Sequence, residues 1–204
     1  MATDFATVPV PEAHHGHGTP AEALQRTRVG VVFFILADLM LVLAFVLCQV
    51  YLKALNTDHA FLPARFHLPS ALPGLGVVVV GALGALAMVG NLRNQELTRE
   101  NLRSRALLAL VLFVAAGVLQ AYVLSTAGFG AGASAYVSSF YVLGWLAVVH
   151  LGAAAFGSLL VLGRASRGRL STARARAGVE FASWWAVWAA VAGLLVWAVA
   201  SFVA

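Results

Sequence analysis

Charge is scarce in this sequence. Asp, Glu, Lys and Arg make up 10% of its 204 residues, where a water-soluble domain carries about 25%. Such a chain cannot cover its surface with polar groups, so a soluble globular enzyme is excluded as the first reading. Cysteine is nearly absent. Cys48 stands alone, which excludes an intrachain disulfide and a thiolate metal cage. Proline is confined to the first 20 residues and to 63–73, so among the long apolar stretches only the one at 72–91 holds a proline, Pro73 at its start, where a helix tolerates it. No P-loop and no dinucleotide fingerprint is present, and no nucleophile stands out beside a base. The net charge of +5 is not a nucleic-acid signal. The basic residues form short clusters between apolar runs, with no basic face carrying base-reading side chains.

What is abundant is apolar surface, at 61% of residues. Five segments stand out, at about 30–52, 72–91, 106–126, 137–163 and 181–203. Each approaches or exceeds the roughly 20 residues that a helix needs to cross about 30 Å of hydrocarbon. Lipid offers no partner to a free N–H or C=O, so each segment is expected to be helical. Period-2 alternation is missing, which argues against a membrane barrel. The fold class expected is therefore all-α, an integral membrane bundle of five transmembrane helices over 29–204.

Residues 1–28 read as a flexible cytoplasmic tail, rich in Pro, His, Gly and Thr. No cleavable leader is expected, because the first apolar run is long enough to span and stay. HHGH at 14–17 is a weak metal candidate. Three histidines with no carboxylate or thiol beside them read first as solvated. The basic residues give the orientation. With five spans, eleven fall on the side of the N-terminus and two, Lys53 and Arg65, on the other. Positive loops face the cytoplasm, so the N-terminus is expected inside and the C-terminus outside.

The loops differ in kind. NLRNQELTRENLRSR (91–105) has helical propensity and reads as a charged extension of helices two and three. GRASRGRLSTARARAG (163–178) is basic and suits anionic headgroups. STAGFGAGASAY (125–136) reads as a tight turn, and 53–71 as an irregular outer loop. No internal repeat is evident. Small residues at Gly81 and Ala85 in helix two, and at Gly144, Gly152 and Gly157 in helix four, are expected to let other helices approach closely.

Few polar residues lie inside the spans, and Asp38, Gln120 and His150 matter most. A charged Asp at mid-membrane costs roughly 2.5–3.5 kcal/mol even on a lenient insertion scale, so Asp38 needs a partner or a proton. It lies about 13 Å from the cytoplasmic end of its helix, and His150 about 20 Å from the outer end of helix four. The two are candidates for one level of the bilayer and for an interhelical hydrogen bond. A haem held by two histidines would need a second deep His. The others, His14, His15, His17, His59 and His67, lie in the tail or an outer loop.

The ordered set of features resembles subunit III of the haem–copper oxidases, in its short five-helix bacterial form. The likeness covers about 28–204. FILADLMLVLAF places Asp38 where the family has an intramembrane acid. LFVAAGVLQAY supplies Gly117 and Gln120. SSFYVLGWLAVVHLGAAAFG supplies Ser139, Phe140, Tyr141 and His150, and RARAGVEFASWWAVW closes the pattern with a basic loop, an acid and an aromatic last helix. Three positions depart from it. Ala147 stands where a first histidine is usual, Val123 where an acid follows the Gln, and Phe181 to Trp185 replace a Trp-His-Phe-x-Asp core.

The resemblance implies a non-catalytic subunit of a bacterial terminal oxidase of the cytochrome c oxidase type, in the plasma membrane. Such a chain has no cofactor of its own. It packs on the catalytic subunit I and other oxidase subunits, binds phospholipid, and supports proton uptake in aerobic electron transport. Haem and copper are expected in the partner subunits, with no role for nucleic acid. Asp38, Gln120 and His150 are then the proton- or lipid-linked candidates. The alternatives are a subunit III-like partner of a quinol oxidase or nitric oxide reductase, a small proton-linked transporter, and an assembly factor.

Overall fold

The computed structural model describes residues 20–56, 61, 71–93, 99–128, 130, 132–167 and 173–202. All regular structure among them is helical: α1 Pro20–Ala54, α2 Ala71–Arg93, α3 Arg99–Ser125, α4 Ala135–Ser166 and α5 Ala173–Phe202. All five are long and apolar enough to cross a membrane. The histidines of the tail and of the 53–71 loop lie outside the described residues.

The helices outrun the apolar segments. α1 reaches back to Pro20, into the stretch expected to be tail. The local chemistry explains this. Pro20 occupies the first helical position, where its missing N–H costs nothing. Glu22 complements the helix dipole in the first turn, and Ala, Leu and Gln follow with good propensity. α5 likewise begins eight residues before 181, inside the basic loop. The 125–136 turn forms as expected. Gly128 and Gly132 take φ of +78° and +90°, conformations that other residues rarely adopt. Ser134 then caps α4 by accepting from the Val137 N–H.

Helices α2, α3, α4 and α5 form a closed ring, each packed on the next, with α2 also against α5. α1 lies outside that ring in the furrow between α4 and α5. Side-chain bonds fix which ends meet. Arg28 of α1 pairs with Glu180 of α5 through two contacts of 2.8 Å. Arg105 of α3 donates to the Gly90 carbonyl of α2. At the opposite end Tyr136 of α4 donates to the Ala200 carbonyl of α5 at 3.0 Å, and Trp197 of α5 to the Ala71 carbonyl of α2 at 3.0 Å. Successive helices therefore run antiparallel, with the starts of α1, α3 and α5 at one arginine-rich end.

The buried face of α3 shows why this ring closes. Leu102, Ala106, Ala109, Phe113, Ala116, Gln120 and Leu124 are all buried, at spacings of three and four. That seam keeps one stripe facing its neighbours along the helix. Its alternation of small and large residues lets adjacent helices interdigitate. The glycines behave unequally. A Cβ at Gly84 would meet Phe113 at 3.1 Å, one at Gly157 would meet Ala182 at 3.4 Å, and one at Gly144 would collide with Leu124. Gly152, expected to be a packing position, has nothing within 4 Å. It faces away from the ring, because position 152 falls on the lipid side of α4 where 144 and 157 do not.

Candidate functional site

Asp38, His150 and Trp188 stand near the midpoints of α1, α4 and α5. Asp38 is 18 residues from the first residue of its helix and His150 and Trp188 are each 15 from theirs, so each lies at least 20 Å or so from either helix end at about 1.5 Å per residue. Antiparallel helices packed with their ends level bring midpoints together. The Asp38 carboxylate and the His150 ring meet at 2.5 Å, Oδ2 to Nε2. The Trp188 indole N–H donates to the same oxygen, also at 2.5 Å. The His150 Nδ1 lies 2.7 Å from the Leu146 carbonyl one turn earlier in its own helix. Trp185 lies flat against the imidazole, with planes 3° apart and centroids at 5.6 Å. Trp188 meets the ring edge-on.

The site is nearly closed. The His150 side chain is 3% exposed and that of Asp38 17%. The residual opening is on the α1 side, where Phe34 and Leu41, four residues before and three after the acid on the same face, are exposed.

The hydrogen bonds set the proton inventory. A carbonyl only accepts, so Nδ1 must carry its hydrogen. A single further proton then sits between Nε2 and Oδ2. On the ring it makes an imidazolium beside a carboxylate, and on the acid it makes a carboxylic acid donating to a neutral ring. Either way the pair has zero net charge, which is what a low-dielectric interior tolerates.

The expected juxtaposition of Asp38 with His150 is thus realised. Gln120 does not join it. It is buried on α3 against Gly144, with Nε2 3.2 Å from where a Cβ at 144 would stand. Gly144 is six residues, about 9 Å, from His150 along α4 and on another face. Trp188 was missed. The signal was present, since Trp185 and Trp188 are three apart and share a helix face, and a buried indole N–H seeks an acceptor. Two other buried polar groups make no hydrogen bond among the described residues: the Gln49 amide and the Trp185 N–H. Gln49 is wholly buried on α1, eleven residues beyond Asp38 on the same face.

Beside the cluster runs a groove of about 280 Å³ between α1, α4 and α5. Its walls are apolar, with Phe34, Phe156, Phe181 and Trp185, and Arg164 stands at its arginine-rich end. Phe34 and Trp185 close its inner end by ring contact at 5.3 Å. For metal, Asp38 and His150 offer two ligating groups. Among the described residues no three of His, Cys, Asp and Glu converge.

No protein-family model matches this chain, and no curated protein matches it in sequence. The site ties three helices to one another through one oxygen atom near their midpoints.

Proposed function

We propose that this chain is a non-catalytic subunit of a bacterial haem–copper terminal oxidase, of the subunit III kind, in the plasma membrane. The observation that carries the reading is the contact between Asp38 and His150. These are two of the positions on which the resemblance rests, they are 112 residues apart in sequence, and they meet at mid-depth where α1 packs on α4. A peripheral α1 supports the same reading. Only 11% of its most apolar window is buried within the chain, so a broad apolar face remains for a larger membrane partner or for lipid. The arginine-rich end faces the cytoplasm, following the bias of eleven basic residues to two. Haem and copper belong to the partner, which reduces oxygen. This chain braces it and keeps a protonatable group at mid-depth beside it.

The groove between α1, α4 and α5 is where phospholipid would lie, with acyl chains along Phe156, Leu160 and Phe181 and a headgroup phosphate at Arg164.

Mild-detergent extraction followed by purification on this chain, with an optical spectrum, tests the proposal. A haem-bearing larger subunit is expected to co-purify, and its spectrum and gas substrate separate an oxygen reductase from a nitric oxide reductase. Recovery of the chain from native membranes as a stable lone particle, colourless at every detergent strength, refutes it.

A further inference from the structure

We propose that the Asp38–His150 pair is a proton-counted latch: one shared proton holds α1 in the furrow between α4 and α5, and loss of that proton slackens it. His150 lies between two oxygen atoms, the Leu146 carbonyl at 2.7 Å and Asp38 Oδ2 at 2.5 Å. With the shared proton present, both ring nitrogens are satisfied. Without it, the neutral ring has one N–H for two acceptors. If the hydrogen stays on Nδ1, the Nε2 lone pair faces a carboxylate. If it moves to Nε2, the Nδ1 lone pair faces the carbonyl. One contact is frustrated in either tautomer, and a net negative charge is left in a nearly closed site.

Position makes this a latch on α1 in particular. Asp38 is the α1 member of the cluster, and both its partners belong to the ring. A second polar tie between α1 and the ring, the Arg28–Glu180 pair, is half-exposed and lies toward the start of the helix. Phe34, one turn before Asp38, closes the groove against Trp185. Slackening α1 would therefore also open the groove.

Other titratable side chains are remote. On α1 the nearest are Arg28 and Cys48, each ten residues from Asp38. On α4 the nearest are Tyr141, nine residues from His150, and Tyr136 and Arg164, each fourteen. On α5 the nearest is Glu180, eight residues before Trp188. The described part of α2 has none before Arg93, and α3 has none between Arg105 and Tyr122.

The latch rests on the bundle alone, so loss of the oxidase reading would leave it standing. The test uses the full chain, in the assembly that mild detergent extracts, in lipid nanodiscs. Cys48 is exposed on α1 and takes one spin label. Val118→Cys, at an exposed site on α3, takes the other. Distances are read by pulsed electron resonance as pH rises from below the ordinary carboxylate range to above the ordinary imidazole range. The expected result is one narrow distribution that reversibly gains a longer component on the alkaline side. In the double variant Asp38→Asn, His150→Gln, which leaves no titratable group in the cluster, the distribution should not respond to pH. An unmutated chain whose distribution is the same at every pH overturns the latch, and so does an equal response in the double variant. Should that variant not fold, infrared difference spectra of the unmutated chain decide the matter. The lengthening must coincide with imidazole and carboxylate bands changing together, and lengthening without them overturns the proposal.

Discussion

Replacing Trp188 with Phe would remove one N–H and leave an aromatic ring in place. Trp188 is buried, so two costs arise. The first is the lost bond to Asp38 Oδ2. Interhelical hydrogen bonds in membranes commonly give about 0.6 kcal/mol and reach about 1.7. A bond to a charged acceptor lies higher, at about 1.5–3 kcal/mol on the general scale. The second is the space left by the smaller ring, which adds on the order of 1 kcal/mol at about 24 cal/mol per Å³. A double-mutant cycle with Asp38→Leu, which offers no acceptor, separates the two, because the space is lost in both backgrounds and the bond in only one. Reversible unfolding in mixed micelles, followed by circular dichroism, gives the four stabilities. The expected coupling is about 1–2 kcal/mol, with the upper end marking a carboxylate and the lower a neutral acid. A coupling indistinguishable from zero would refute the view that this oxygen ties α5 to α1.

Three further substitutions test the packing and the pairings. His150→Ala strands Asp38 without its partner and is expected to cost about 3–5 kcal/mol, as for other broken buried pairs. Adding Asp38→Asn should return part of that loss in the same unfolding assay. Glu180→Gln breaks the two-contact pair with Arg28, whose side chain is 50% exposed. Solvent screening keeps the cost small, and added salt should shrink the difference further. Gly144→Ala drives a methyl group into Leu124 and should cost about 1–3 kcal/mol. Gly152→Ala meets nothing and should be neutral or slightly stabilising. Equal effects at 144 and 152 would mean that α3 and α4 are not in close contact.

Legibility was uneven within the site itself. Asp38 was conspicuous because a carboxylate in a run of Val, Leu and Phe costs enough to demand a reason. His150 was conspicuous for the same reason, and the two depths, measured from opposite ends, placed them at one level. Gln120 was equally polar and equally deep in the apolar text, yet it faces Gly144 and stands apart from the pair. Polarity marks that a residue must be satisfied without saying by what. Trp188 stands in the sequence only as part of an aromatic last helix, since an indole partitions into lipid or core on its ring alone and its one N–H leaves no trace in hydropathy.

The sequence by itself determined that five helices form, roughly where they lie and which ends carry the arginines. Those outcomes follow from local energetics, namely apolar length against hydrocarbon thickness and the need to pair every backbone group within its own segment. Only the tertiary structure decided which face of each helix turns inward, that α1 sits outside a closed ring of four, and that one oxygen of Asp38 serves both His150 and Trp188. In a membrane both faces of a helix are apolar, so burial leaves no hydropathy pattern to read. Size and shape choose the inner face, as the Ala and Phe positions of α3 and the contrast of Gly144 with Gly152 show. These are properties of pairs of helices, and no single segment carries them.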